Sequence, residues 1–250
     1  MALLEIEDIL MQFGGITAVN HASVSVEPGR VAGLIGPNGA GKTTTFNIIS
    51  GLQEPTSGTV RFDGQDITRE SVHDRARRGI ARTFQRLEVF GSLSVHDNIL
   101  TAAEIHRSWS GGSGRDVRRA TQEIIDLIGI REFADQRADA IPTGVARLTE
   151  LGRALAIEPR VLLLDEPSSG LNEEETHDFG ELLLQLAADG RAILMVEHDV
   201  DLVMQVCSWI DVLDFGTIIA SGPADEIRDD PDVQAAYLGV AESDTAEVSR

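Results

Sequence analysis

The segment Gly36-Pro37-Asn38-Gly39-Ala40-Gly41-Lys42-Thr43 fits the phosphate-binding loop pattern, a glycine-rich run ending in Gly-Lys-Thr. Glycines let consecutive backbone N–H groups wrap a polyphosphate at a helix N-terminus. Lys42 supplies positive charge to the β and γ phosphates, and Thr43 offers a hydroxyl to magnesium. Of 21 basic residues Lys42 is the only lysine, the other 20 being arginines. A compact charge on a flexible stem is not interchangeable with a planar fork, so a chain that uses arginine everywhere else marks position 42 as chemically demanding. Gly36, Asn38, Gly39, Ala40, Gly41, Lys42, Thr43 and the following Thr44 are the candidate nucleotide-binding residues.

Asp165 and Glu166 end an apolar run, where two adjacent carboxylates are costly without a cation or a catalytic task. In a nucleotide site Asp165 holds magnesium, through water, and Glu166 polarises the attacking water. Taken alone the pair could also be a helix cap. His198 follows a second apolar run and by itself suits a helix start as well as a catalytic role. Gln85, after an extended stretch, is in isolation an ordinary loop glutamine.

Elements that could hold these residues follow from hydrophobic periodicity. Residues 3–9 and 22–26 alternate apolar and polar, and 31–35 is a short apolar run closed by Gly36; all three are expected strands. A helix is expected over 43–52, an extended segment over 59–62, and a turn at Asp63-Gly64. From about 94 to 157 the periods become helical, broken at 108–114 by a Ser/Gly-rich stretch suited to a flexible surface connection. The uninterrupted runs 161–164 and 192–196 have the pattern of parallel strands buried on both faces. Asn172 followed by Glu175 is a capping box for a helix that Gly190 closes. The expected class is α/β: a P-loop NTPase core of mainly parallel sheet, with an N-terminal antiparallel β subdomain and an inserted α-helical subdomain. Residues 1–250 then form a single domain, with 1–90 and 159–240 as nucleotide-binding core, 91–158 as helical subdomain, and 241–250 as a disordered tail.

Composition limits the partners. With 42% hydrophobic and 25% charged residues the chain is globular in type, and no apolar run reaches the roughly 18 residues of a membrane span. No direct membrane insertion is expected, and the acidic N-terminus lacks a secretory pattern, so cytoplasmic residence is expected. A net charge of -20 opposes nucleic acid and anionic headgroups, so any membrane partner is protein. Cys207, the single cysteine, excludes an internal disulfide and suits a buried small apolar position.

The order of these motifs resembles the ATPase subunits of ABC transporters over nearly the full chain. The resemblance covers Gly36 to Thr43 as Walker A, Gln85 as the Q-loop, Val161 to Glu166 as Walker B, Ser169-Gly170-Leu171-Asn172 as the D-loop, and His198 as the switch histidine. It implies ATP and magnesium as cofactors, and assigns Gln85 to magnesium and the transporter contact, His198 to the γ phosphate, and Phe13 to stacking on adenine. It further implies transmembrane permease subunits, a second ABC ATPase subunit, and a peripheral position on the inner face of the membrane. Residues 13–15, 18–20, 46–51, 79–85, 165–167 and 170–172 look most like branched-chain amino-acid importers, while ATPases of lipopolysaccharide export share many of these words. One departure stands out. The signature loop Leu-Ser-Gly-Gly-Gln is here Ile141-Pro142-Thr143-Gly144-Val145, retaining only Gly144 from its polar core. Pro142 offers neither a hydroxyl nor an N–H. An ATP-binding regulatory module with little turnover is the competing reading, which Glu166 and His198 oppose. A soluble nucleic-acid-associated ABC protein would need a second cassette and a basic surface.

Overall fold

The computed structural model describes residues 2–110 and 117–236. Two sheets organise it. The first is four-stranded, built from β1 (Leu4–Phe13), β2 (Ile16–Val26), β4 (Ser57–Phe62) and β5 (Gln65–Asp66) in the antiparallel order β2-β1-β4-β5. The second is six-stranded, from β3 (Val31–Ile35), β6 (Ile80–Arg82), β7 (Val161–Asp165), β8 (Ala192–Val196), β9 (Trp209–Asp214) and β10 (Thr217–Gly222). Its order is β10-β9-β3-β8-β7-β6, parallel throughout except for the antiparallel edge strand β10.

Every residue of β3, β7 and β8 is buried, as continuous apolar runs require when both faces are covered. Side chains alternate between two apolar clusters. Val31, Leu162, Leu164, Ile193 and Met195 face the cluster built with α3 (Val95–Ser110), α4 (Val117–Leu127), α5 (Thr143–Leu155), α6 (Glu173–Ala188), α7 (Val200–Val206) and α8 (Ala224–Arg228). Ala32, Leu34, Val161, Leu163, Ala192 and Leu194 face the cluster shared with the antiparallel sheet and α1 (Lys42–Ser50), and α2 (Val72–Arg78) leads from β5 into β6. Truncating one such leucine to alanine would cost about 2–5 kcal/mol, so the strand ends that carry the site are rigidly placed.

Several expectations are adjusted. β2 begins at Ile16 rather than Ala22, because residues 16–21 continue the hairpin with β1 despite being mostly exposed. The first helix starts at Lys42 and stops at Ser50, where Gly51 takes φ 81 and its N–H closes on Asn47 and Ile48. Ser108 to Ser110, expected in a flexible connection, are the end of α3, and 111–114 fall outside the described residues. Asp63-Gly64 is a two-residue hairpin turn with φ 53 and 72. The tail 241–250 also lies outside the described residues.

Cys207 is buried, and desolvation pushes its thiol up to about 12. The folded chain should therefore resist a thiol reagent at neutral pH and react stoichiometrically once unfolded, measured by mass shift with and without denaturant. Comparable labelling in both conditions would contradict this packing.

Candidate nucleotide site

The glycine loop joins β3 to α1, at the C-terminal edge of the parallel strands. Two glycines are dictated by space. A Cβ on Gly36 (φ 148) would lie 1.9 Å from the Leu213 carbonyl oxygen, and one on Gly41 (φ 109) would lie 2.4 Å from that of Ala18. The loop is also held from outside. The Gly216 N–H donates to Ala40 O at 2.8 Å, and the Asn20 N–H donates to Gly216 O at 2.7 Å, tying it to β2 and to the β9–β10 turn. Gly41 precedes α1 in a left-handed conformation without a side-chain cap, so no side chain occupies the N–H groups of the first helical turn. Asn38, Gly39 and Thr43 are exposed and Thr44 is half-buried.

Lys42 is buried, its Nζ donating to Gly36 O at 2.7 Å and Pro37 O at 2.9 Å. Burial pushes its ammonium below the ordinary amine value, and the negative charges of Glu166 and Asp165 oppose that shift. The three groups thus share one electrostatic environment.

Glu166, just past β7, is where residues far apart in sequence converge. The Gln85 amide donates to its Oε2 at 3.0 Å, and His198 Nε2 lies 3.0 Å from its Oε1. Its φ of 48 is uncommon outside glycine, a local strain of about 1–3 kcal/mol of the kind concentrated at working sites. Neither Asp165 nor Glu166 is a helix cap: α6 is capped by Asn172 through the expected capping box, and α7 by Asp199. His198 lies one residue before that cap, with its ring nitrogen against Glu166 rather than on the helix end.

Four residues in this network are absent from the sequence candidates. Arg82 pairs with the Asp165 carboxylate at 2.9 Å, both side chains being almost fully buried. Glu197 accepts the N–H groups of Ser168 (2.7 Å) and His198 (2.9 Å), bracing the ends of β7 and β8 together. Arg147 on α5 donates to the carbonyls of Phe84 (3.1 Å) and Gln85 (2.8 Å), while Glu150 accepts the Phe84 N–H (3.2 Å). Burial pushes Glu150 up, against the pull of that N–H and of Arg147. Arg82 and Glu150, charged residues inside buried patterns, were the available signals; nothing in the sequence marks Glu197 or Arg147.

Other candidates stay apart from this centre. Phe13 is 46% exposed at the β1–β2 hairpin tip. Pro142 precedes α5 without capping it, and Gly144 packs so closely that a Cβ would lie 3.1 Å from Glu175 Oε1 and Leu171 Cδ2. Pro142, Gly144, Val145 and Asn172 therefore gather where α5 and α6 begin, and among the described residues no hydrogen bond or ion pair ties them to the glycine loop.

A glycine loop between a central parallel strand and its helix, with a carboxylate pair at the end of β7, which β8 separates from β3, defines the P-loop NTPase class. The family description "ABC transporter" matches residues 19–169, and "Branched-chain amino acid ATP-binding cassette transporter" matches residues 217–243. The chain is 38% identical to the high-affinity branched-chain amino acid transport ATP-binding protein BraF of Pseudomonas aeruginosa, over 96% of this chain and 98% of BraF. It is 32% identical to the lipopolysaccharide export system ATP-binding protein LptB of Haemophilus influenzae, over 96% of this chain and 98% of LptB. A nucleotide-free ATP-binding cassette from an ABC transporter superposes with TM-score 0.85 at 30% identity, covering 95% of this chain and 99% of that one. The chain belongs to the ABC transporter family, as a nucleotide-binding ATPase cassette.

Proposed function

We propose that this chain hydrolyses magnesium-ATP at the site of Lys42, Asp165 and Glu166 to drive uptake of branched-chain or related amino acids through a membrane permease. The observation that carries the reading is the grip of Gln85 and His198 on the two carboxylate oxygens of Glu166, beside a buried lysine in a glycine loop. Importer chemistry is favoured over lipopolysaccharide export by the higher identity to BraF and by the match at residues 217–243.

Asp165 suits magnesium. Its Oδ2 accepts a hydrogen bond from Arg82, and Thr43 is exposed at the start of α1. An oxygen-only donor set of one carboxylate and one hydroxyl fits a hard cation that keeps most of its ligands from water and phosphate. No larger cluster of His, Cys, Asp and Glu occurs among the described residues. When bound, magnesium would neutralise charge developing on the phosphates.

The chain's own groups do the rest. Backbone N–H groups of residues 36–44 bind the phosphates, and Lys42 leaves the Gly36 and Pro37 carbonyls to meet them. Glu166 takes a proton from the attacking water, while Gln85 and His198 fix its rotamer. His198 then reaches the γ phosphate. Phe13 at the hairpin tip stacks on adenine. A cleft of about 280 Å³ lined by Leu52, Val72, Arg82, Phe84 and Arg153 opens beside the Gln85 loop and receives the permease. Attachment is peripheral, on the cytoplasmic face and through the permease, a reading supported by the likeness to ATP-binding components of transport systems; no helix among the described residues is long and apolar enough to cross a membrane. Residues 91–158 form the helical subdomain and carry the altered signature toward a second ATPase subunit.

Lys42→Ala should weaken ATP binding about 10- to 100-fold, the worth of a charged hydrogen bond of about 1.5–3 kcal/mol. Equilibrium binding of a fluorescent ATP analogue measures it, and unchanged affinity would refute the phosphate-loop reading. For transport, vesicles holding the co-purified permease should accumulate labelled leucine only with ATP inside the compartment that this chain faces. Accumulation indifferent to ATP would refute the importer reading.

A further inference from the structure

We propose that Arg82 is a positioning residue for the cation site. It holds one oxygen of Asp165 so that the other is left for magnesium, and it joins that carboxylate to the loop of Phe84 and Gln85. The inference rests on the nucleotide reading above and adds a residue to it.

The guanidinium makes contacts that no other side chain could make together. One terminal nitrogen donates to Asp165 Oδ2 at 2.9 Å. The other donates to Asn47 Oδ1 at 2.8 Å and Ser50 Oγ at 3.1 Å, both on α1, the helix that the glycine loop opens. The guanidinium carbon also lies over the rings of Phe46 and Phe84, 5.5 and 5.0 Å from their centroids. The Arg82 side chain is 6% exposed and that of Asp165 3%. Its Nε is buried without a partner, so the arginine is not the arrangement a purely stabilising core would choose.

The geometry separates the two oxygens of Asp165 by task. Oδ2 is fixed by an anchored fork, and fixing it fixes the carboxylate plane, which aims Oδ1. Partners that orient a ligating carboxylate in this way typically change metal affinity 10- to 100-fold when removed. The same guanidinium lies against Phe84, whose backbone N–H and carbonyl are held by Glu150 and Arg147 of α5, and Arg82 and Phe84 both line the 280 Å³ cleft. An occupant that shifts Phe84 therefore presses on the group that aims the cation's ligand.

Lysine keeps the charge but has no fork, so it cannot reach Asp165, Asn47 and Ser50 together. Methionine keeps an apolar stem and strands the buried carboxylate. The test measures manganese affinity by electron paramagnetic resonance in the presence of ATP, magnesium half-saturation of ATP binding, and thermal unfolding. It uses the full chain and its Arg82→Lys, Arg82→Met and Asn47→Ala variants. Expected are cation half-saturation raised about 10-fold or more in Arg82→Met, by a smaller factor in Arg82→Lys, and by about 2- to 5-fold in Asn47→Ala, with magnesium-free ATP affinity within about 2-fold of the parent. If Arg82→Met does not fold, the lysine and Asn47 variants decide. Unchanged cation half-saturation in folded variants overturns the proposal, and so does tighter cation binding, which would make Arg82 a competing countercharge. A parent chain whose ATP binding ignores magnesium would overturn the nucleotide reading and this inference with it.

Discussion

Replacing Glu166 with glutamine should lower ATP turnover by about 10²–10⁴-fold while leaving ATP affinity nearly unchanged. The amide keeps the shape of the carboxylate but cannot take a proton from water. Its fit in the site is also favourable. The retained oxygen can still accept from the Gln85 amide, now 3.0 Å from Glu166 Oε2, and the new NH₂ can donate to His198 Nε2, 3.0 Å from Oε1, when that nitrogen is unprotonated. The pocket thus stays assembled, and the loss falls on chemistry. Steady-state phosphate release, read beside nucleotide affinity and a melting curve, measures it. Near-parental turnover in a folded, ATP-binding variant would leave Glu166 a structural anchor for Gln85 and His198.

The second large effect concerns the altered signature. In a two-subunit sandwich each signature loop completes the partner's site, and here Pro142 lacks a hydroxyl and Val145 a side-chain amide. One lost transition-state donor typically costs about 3–4 kcal/mol, or 10²–10³ in rate. A homodimer of this chain should hydrolyse slowly, and the double variant Pro142→Ser, Val145→Gln should raise its turnover by about 10²-fold or more. The structure adds a confound that the measurement must separate. Pro142 stands at the uncapped N-cap of α5, so a serine there also supplies a cap worth about 1 kcal/mol, while Val145 is half-buried against the core and resists a polar replacement. Unfolding free energy is therefore measured in parallel, and nucleotide affinity checked separately. Unchanged turnover in a stable, ATP-binding double variant would refute the expectation that the altered signature slows the homodimer, leaving the Gly144 N–H and the α5 terminus as sufficient anion donors. A gain only when mixed with a partner cassette would instead locate the intact signature in a heterodimer.

How much of this was legible beforehand differs by element. The runs 161–164 and 192–196 appear as buried strands because their composition is saturated: five consecutive buried positions admit almost nothing but aliphatic side chains. The capping box at Asn172 was equally plain, since its two reciprocal hydrogen bonds are local and need only a spacing of three. β2 was half missed, because the exposed residues 16–21 pair through backbone groups that leave no hydrophobic alternation to detect. The sequence analysis places no strand at β9 or β10, and Ser108 to Ser110 read as a connection because serine is a weak helix former that a long helix can still carry.

Sequence by itself determined the phosphate loop, since its chemistry is local: glycines for backbone reach, one lysine for charge, one threonine hydroxyl, all contiguous and placed between a strand and a helix. It also determined that Asp165, Glu166 and His198 end buried strands, because burial on both faces leaves that periodicity. What only the tertiary structure decided is who meets whom. Strand order β8-β7-β6 sets the ends of three separated segments side by side, so that Gln85 and His198 meet Glu166 across 81 and 32 residues of chain. Arg82 reaches Asp165 across 83, and Glu197 reaches the N–H of Ser168 across 29. A single chain encodes propensity and period at each position, but a hydrogen bond between distant positions exists only once the sheet has fixed which strand lies beside which. That is why the glycine loop is visible as letters and the hydrogen-bond network around Asp165 and Glu166 is not.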